Sequence, residues 1–254
     1  MQNLSATLLA AQRRPTPPPA SVRLVVRDIW LRWQAHAHEG EANSLPSAAC
    51  WYANGQTIAR ARVTAGGALQ TQVVSNLESV AAWETWTTQQ TGVYPGDVAL
   101  ADNGGTLRCY YQRREGSGAP YLWRVKTIAS SDGGDTWGSE SEVETASHVR
   151  PYGGLASPGY DTLFLQRPDG TVGARRYGGG TWGEPEDWSG SPAVGFGLAA
   201  VGDPALSALV LVAGTFDGVN RLRLASYAAG DGWESSGDLV PVGTSEAHFV
   251  PRWP

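Results

Sequence analysis

A tryptophan that recurs at a nearly constant interval is the feature that most constrains the fold of this chain. Four tryptophans in loosely similar contexts are separated by 51, 45 and 51 residues; they are Trp86, Trp137, Trp182 and Trp233. Short runs of small apolar residues repeat with a similar period. Their anchors are separated by 50, 55, 43 and 52 residues and are Cys50, Leu100, Leu155, Leu198 and Val250. Two independent markers with one period indicate an internal repeat of about fifty residues.

Each repeat contains several strand candidates and no convincing helix. From Ser21 onward the apolar residues alternate with a period close to two, and Val, Leu, Tyr and Trp are enriched between turn residues. Two strand candidates lie between a small run and the next tryptophan, for example Thr106–Gln112 and Tyr121–Ile128. A repeat of this length with three or four strands is typical of a propeller blade. The sequence therefore predicts an all-β, five-bladed β-propeller with small inner strands and tryptophans that fill the wedges between blades.

The two ends of the chain are predicted to complete the fifth blade together. The small run at His248–Val250 lies too close to Pro254 to be followed by outer strands. Val22–Val26 and Trp30–Gln34 are strand-like and precede the first small run. If they pair beside Phe249, the ring closes and two exposed sheet edges disappear. An open array or solenoid is the alternative.

The first residues differ from the rest, which suggests two segments: residues 1–20, an N-terminal helix and proline-rich arm, and residues 21–254, the propeller. Ser5 can cap a short helix that runs to about Ala11. The prolines of residues 15–19 then enforce an extended chain. This segment is either an arm that reaches a neighbouring subunit or a disordered terminus.

Composition narrows the classes of function. The net charge of −5 argues against a nucleic-acid partner, which would require a basic face. We recognise no export signal and no apolar segment long enough to span a membrane, and we expect no cofactor. Cys50 and Cys109 lie in apolar runs, where we expect buried thiols rather than a disulfide. His36 and His38 could share one face of a strand, but two ligands do not define a metal site.

One local motif is specific. Residues 130–137 read SSDGGDTW. In this stretch the Asp132 carboxylate can accept hydrogen bonds from its own turn, and Gly134 permits a positive φ. The residues Ser130, Asp132, Gly134, Thr136 and Trp137 resemble the Asp-box of sialidases and related propellers. The resemblance implies a structural hairpin on the side of the propeller away from the ligand pocket. A calcium site at Asp132 and Asp135 is the alternative, although calcium needs more oxygen ligands.

The beginning of the chain carries a second resemblance. Residues 1–12, MQNLSATLLAAQ, followed by a proline-rich step and VRLVVRD at residues 22–28, are similar to the opening of bacteriophage tail-associated proteins. This resemblance implies a virion protein of a phage or prophage tail, located in the virion or in the cytoplasm before assembly. Its expected partners are other virion or tail proteins, contacted through the N-terminal arm.

Because of the resemblance to sialidases, an enzymatic function has to be weighed against a non-catalytic one. That family uses three arginines, a tyrosine with a glutamate, an acid/base aspartate and a Phe/Tyr-Arg-Ile-Pro motif. The motif is absent here, and no glutamate can be identified from sequence. A glycosidase needs two carboxylates on the pocket face. The candidates Asp97, Asp169, Asp203 and Asp217 are explained more simply as turn residues. We therefore predict no catalytic residues and no metal site, with a sialidase-like glycoside hydrolase as the alternative.

The residues predicted to bind a ligand precede or begin inner strands, and they are Tyr94, His148, Arg150, Tyr152 and His248. Aromatic rings with an arginine suit sugar stacking and hydrogen bonding. The alternative is that they line a solvated channel. The expected function is a non-catalytic structural or binding propeller that binds carbohydrate or a partner protein.

Overall fold

The computed structural model describes residues 47–52, 57–74, 85–103, 106–116, 121–144, 146, 148–159, 161–203, 207–234 and 238–241. Every regular element in these ranges is a strand, which confirms the all-β prediction for this part of the chain. The described residues contain no helix that could cross a bilayer. In chain order the strands are β1 (Ser47–Tyr52), β2 (Thr57–Val63), β3 (Ala68–Val74), β4 (Thr87–Thr91), β5 (Val93–Asn103), β6 (Thr106–Glu115), β7 (Leu122–Ser130), β8 (Ser141–Glu142), β9 (Gly154–Gly159), β10 (Thr162–Gln166), β11 (Val172–Gly178), β12 (Thr181–Trp182), β13 (Glu186–Asp187), β14 (Val194–Asp203), β15 (Ser207–Phe216), β16 (Val219–Ala228), β17 (Gly232–Glu234) and β18 (Asp238–Pro241).

These strands form four consecutive antiparallel sheets. Sheet 1 contains β1–β4, sheet 2 contains β5–β8, sheet 3 contains β9–β13 and sheet 4 contains β14–β18. Each is an up-and-down meander, and in sheets 3 and 4 the fourth position is divided between two short strands that both pair with the third strand. The first strand of each sheet lies beside the first strand of the next one. This is the arrangement of successive blades in a β-propeller. The predicted fifth blade and the predicted N-terminal helix fall on residues outside the described ranges.

The four small runs within the described ranges lie in the first strands, as predicted, and close approach of backbones explains their composition. A Cβ added at Gly154 in β9 would lie 2.8 Å from the backbone nitrogen of Leu198 in β14. That separation is shorter than a van der Waals contact, so a larger residue would push the two first strands apart. The inner position therefore selects small side chains.

The apolar cores lie between consecutive sheets. One core joins sheets 1 and 2 and includes Leu69 and Ile128. The next joins sheets 2 and 3, and the third joins sheets 3 and 4. Strands such as β10 are buried along their whole length because neighbouring sheets cover both of their faces. Cys109 is fully buried in the first of these cores, as predicted.

Three of the repeated tryptophans occupy the wedges predicted for them. Trp137 packs against the core shared by sheets 1 and 2. The Trp182 ring meets Tyr110 of the preceding sheet edge-on, with 5.8 Å between ring centroids. Trp233 lies 5.3 Å from Phe164 of sheet 3, and its indole N–H donates to the carbonyl of Glu186 at 2.8 Å. Each indole thus fills space between its own sheet and the preceding sheet.

The turn between β7 and β8 is held by a compact set of hydrogen bonds. The Asp132 carboxylate accepts from the Thr136 backbone N–H at 2.9 Å, from the Thr136 hydroxyl and from the Ser130 hydroxyl at 2.7 Å. The Ser130 oxygen in turn accepts from the N–H of Gly134 at 2.7 Å. Gly134 has a φ of 97°, and a Cβ there would lie 2.5 Å from the side chain of Val73 in sheet 1. The turn therefore requires glycine both for its conformation and for contact with the neighbouring sheet.

These hydrogen bonds make the turn sensitive to acid. The Thr136 hydroxyl and N–H, with the Ser130 hydroxyl, hold the pKa of Asp132 well below its ordinary value of 3.8. A carboxyl whose pKa is lower in the folded state stabilises the protein above its unfolded pKa, and that contribution is lost as the pH falls toward the folded pKa. In urea titrations, we expect Asp132→Asn to lower the free energy of unfolding at pH 7. The difference in free energy of unfolding between wild type and variant should shrink as the pH falls below about 4.

Asp135→Asn is the matched control, because Asp135 is an exposed residue of the same turn whose carboxylate accepts no hydrogen bond from the described chain. It should change the free energy of unfolding little at any pH. A deficit for Asp132→Asn that stays constant from pH 7 to pH 2 would contradict the assigned role.

Candidate functional site

The described members of the predicted ligand set, Tyr94, His148, Arg150 and Tyr152, lie at one edge of the sheets. In an up-and-down meander, the connections from a fourth strand to the next first strand share an edge with the turns between second and third strands. We call this edge the entry face. Its described connecting residues are 64–67, 92, 116, 121, 143–144, 146, 148–153, 167–171, 188–193 and 217–218. The turn at residues 131–140 lies at the opposite edge.

His148 is held against sheet 2 as an isolated strand-like bridge. Its backbone N–H donates to the carbonyl of Trp123 at 3.1 Å, and its carbonyl accepts from the N–H of Trp123 at 2.7 Å. The Trp123 ring packs edge-on against Tyr94, with 4.3 Å between centroids. The His148 ring packs edge-on against Tyr152 at 5.1 Å. The structure therefore brings Tyr94, His148 and Tyr152 together around Trp123, which the prediction did not include.

Tyr152 is anchored at its backbone by a side chain from sheet 2. Gln112, in β6, accepts from the N–H of Tyr152 at 2.9 Å and donates to its carbonyl at 3.2 Å. A single amide thus pairs with both polar backbone groups of one residue, as a neighbouring strand would. Because Gln112 is fully buried, these bonds are shielded from water. They fix the position where the chain enters sheet 3.

The Tyr152 hydroxyl belongs to a buried charged cluster. It donates to Glu144 at 2.9 Å, and only 4% of Tyr152 and 3% of Glu144 are exposed. The Glu144 carboxylate also accepts from two guanidinium nitrogens of Arg167, at 3.0 and 2.9 Å. Arg167 in turn pairs with Asp187 at 2.7 Å. Burial, reinforced by the negative charge of Glu144, holds the pKa of Tyr152 well above its ordinary value of 10.0. The phenol therefore stays protonated at neutral pH.

The segment between His148 and Tyr152 presents two exposed side chains. Val149 is 66% exposed, and Arg150 is also exposed. Within the described ranges, Arg150 makes no hydrogen bond or ion pair. Of the predicted ligand residues, Arg150 is thus the one presented to solvent, Tyr94 and His148 are half-buried and Tyr152 is buried. His248 lies outside the described residues.

Sequence reasoning missed Gln112, Trp123 and Glu144. The sequence did carry a signal for Gln112. The dipeptide Gln-Arg occurs at residues 112–113 and again at residues 166–167, at the same end of the second strand of sheets 2 and 3. Gln166 repeats the contact with the next sheet: it accepts from the N–H of Gly197 at 3.1 Å and donates to the carbonyl of Ala213 at 3.4 Å. The glutamine is a third repeated marker, after the tryptophans and the small runs, and it lies at the boundary between sheets.

The carboxylates considered for glycoside hydrolysis make structural contacts where their side chains are described. Asp97 is not the turn residue that the sequence predicted, because it lies within β5 and contacts the next sheet. Asp97 accepts from the N–H of Leu155 at 3.3 Å, and Asp169 accepts from the N–H of Thr171 at 2.9 Å. Asp217 lies 3.7 Å from Arg223. Within the described part of the chain, no group of three His, Cys, Asp or Glu side chains could hold a metal ion.

Comparisons with known proteins give distant structural likenesses. No family model and no curated protein matches the chain. A lectin of Aleuria aurantia, solved with alpha-methyl-L-fucoside, is 17% identical with a TM-score of 0.47; the match covers 78% of this chain and 61% of the lectin. A thermostable family-43 glycoside hydrolase is 8% identical with a TM-score of 0.47, covering 80% of this chain and 75% of the enzyme. A sialidase of Trypanosoma rangeli is 16% identical with a TM-score of 0.37, and the match covers 59% of this chain and 31% of the sialidase.

Removing the Gln112 side chain should loosen the entry to sheet 3. In Gln112→Ala, two buried backbone groups of Tyr152 lose their partner, at a cost of about 1–3 kcal/mol each. We expect a lower free energy of unfolding and faster amide hydrogen exchange at Tyr152. Gln166→Ala is the matched variant, which should speed exchange at Gly197 and leave Tyr152 protected. Equal protection of Tyr152 in wild type and Gln112→Ala would show that the side chain does not hold this segment.

Proposed function

We propose that this chain is a non-catalytic β-propeller that binds carbohydrate or a partner protein through its entry face and belongs to a phage or prophage tail. The observation that carries the binding role is Arg150, an exposed guanidinium beside Val149 with no partner in the described chain. The residues on either side of this pair are fixed, since His148 pairs with Trp123 and Tyr152 pairs with Gln112. A rigid segment that presents an unpaired cation loses little entropy on binding.

The turn at residues 130–137 supports the sialidase-like architecture in this proposal. Its hydrogen bonds stabilise a hairpin without using a ligand, which is the role that the Asp-box resemblance implies. The tail assignment rests on residues 1–28 alone, and closure of a fifth blade by the two chain ends belongs to the same proposal.

A sialidase-like glycoside hydrolase is the second candidate, and the hydrogen bond between Tyr152 and Glu144 favours it, because that family pairs a tyrosine with a glutamate. The environment of the pair argues for a structural role instead. Both side chains are buried, and the raised pKa of Tyr152 opposes its use as a nucleophile. Arg167 and Arg175 are also buried; Arg167 is paired with Glu144, and Arg175 donates to the carbonyl of Val143.

Arg150→Ala tests the binding role. A charge-assisted hydrogen bond contributes about 1.5–3 kcal/mol, so we expect at least about tenfold weaker binding on a glycan array or to tail particles. Arg176→Ala is the control, because Arg176 is an exposed arginine at the opposite edge of sheet 3. Turnover of aryl glycosides that disappears in Tyr152→Phe would overturn the non-catalytic assignment.

Removal of residues 1–20 tests the tail assignment separately. If this segment docks a neighbouring tail protein, the shortened chain should remain folded but fail to sediment with assembled particles. A point variant in the entry face, Arg150→Ala, should still sediment with them. Normal incorporation of the shortened chain would exclude the docking arm.

A further inference from the structure

The exposed large apolar side chains of the described residues all lie on the entry face. They are between 36 and 66% exposed, and they are Tyr121, Val149, Val194 and Val219. Tyr121 and Val219 adjoin turns between second and third strands, whereas Val149 and Val194 adjoin entries into sheets 3 and 4. Exposed apolar residues that are confined to one face favour an interaction surface on that face.

The aromatic residues of the same face are poorly placed to stack on a sugar, apart from Tyr121, whose exposed ring carries the Arg114 guanidinium on one side. Trp123 and Tyr152 are buried, and Tyr94 is half-buried with its ring edge-on against Trp123. The side chains that reach solvent are therefore mainly aliphatic. Valine offers no hydrogen bond to a hydroxyl group, whereas it packs well against apolar side chains of another protein.

Among the described residues of this face, the charges that remain unpaired are positive. The described acidic side chains are engaged: Glu115 with Arg124 and Lys126, Glu144 and Asp187 with Arg167, Asp217 with Arg223, and Asp169 with its own turn. Arg114 and Arg150 form no ion pair with described residues. The Arg114 guanidinium lies 4.2 Å above the ring of Tyr121, so a cation and an exposed aromatic ring are presented together.

We propose that the entry face docks a protein segment that carries acidic and apolar side chains. The inference rests on the proposed binding function and names the class of partner. Carboxylates of that segment pair with Arg114 and Arg150, and its apolar side chains cover Val149, Val194, Val219 and Tyr121. Carboxylate–arginine pairing gives orientation, and burial of the aliphatic groups gives affinity.

The test uses the full chain as bait for a random 16-residue peptide display library. We expect the selected peptides to be enriched in Asp and Glu together with Leu, Ile, Val or Phe. A synthesised selected peptide should bind about tenfold more weakly to Val149→Ser/Val194→Ser and to Arg114→Gln/Arg150→Gln. Its affinity should also fall with rising salt. Ser139→Asp, an exposed site at the opposite edge, is the control and should bind as wild type does.

The outcomes separate this inference from the function on which it rests. Selection without acidic and apolar enrichment, or peptide binding unchanged in both double variants, overturns the protein-docking inference. If a glycan array then shows binding that Arg150→Ala abolishes, the proposed function stands with a carbohydrate ligand. If neither peptide nor glycan binding depends on the entry face, both proposals fail.

Discussion

The structure depends on the burial of each sheet face against the next sheet. No described sheet has a core of its own, because the apolar clusters all span two sheets. The separation between neighbours is set at the first strands, where the backbone of Gly154 lies against that of Leu198. Farther out, where adjacent sheets diverge, Trp182 and Trp233 fill the widening gap. Small residues inside and indoles outside are therefore two consequences of one wedge-shaped space.

Polar contacts between sheets fix the position of the entry face relative to that core. Gln112 and Gln166 leave the second strand of one sheet and bind backbone groups at the entry to the next. The Glu144–Arg167 pair adds a buried ionic contact between the end of sheet 2 and sheet 3. Because the partners of each bond come from different sheets, these bonds form only when the sheets are correctly stacked. They link the geometry of the exposed segment at Val149 and Arg150 to the packing beneath it.

The sequence was sufficient for the repeat, the all-β class and the roles of small residues and tryptophans, because these are local patterns with a fixed period. It also located the turn at Ser130–Trp137, whose hydrogen bonds join residues at most four positions apart. It did not reveal that Gln112 binds Tyr152, which lies 40 residues away, or that Glu144 lies beside Tyr152 and Arg167. Such contacts follow from strand register and sheet stacking. The burial of Tyr152 also follows from sheet stacking. The sequence alone does not show whether a tyrosine at the entry to a sheet faces solvent or the core.

The bidentate contact of Gln112 has a mechanical consequence. A pull on Arg150 is transmitted through Tyr152 to β6, which is bonded along its length to β5 and β7. Because β6 lies between β5 and β7, that load is shared by the hydrogen bonds on both of its sides. A partner bound at this segment would therefore place its load, through Gln112, on the inner strands of sheet 2.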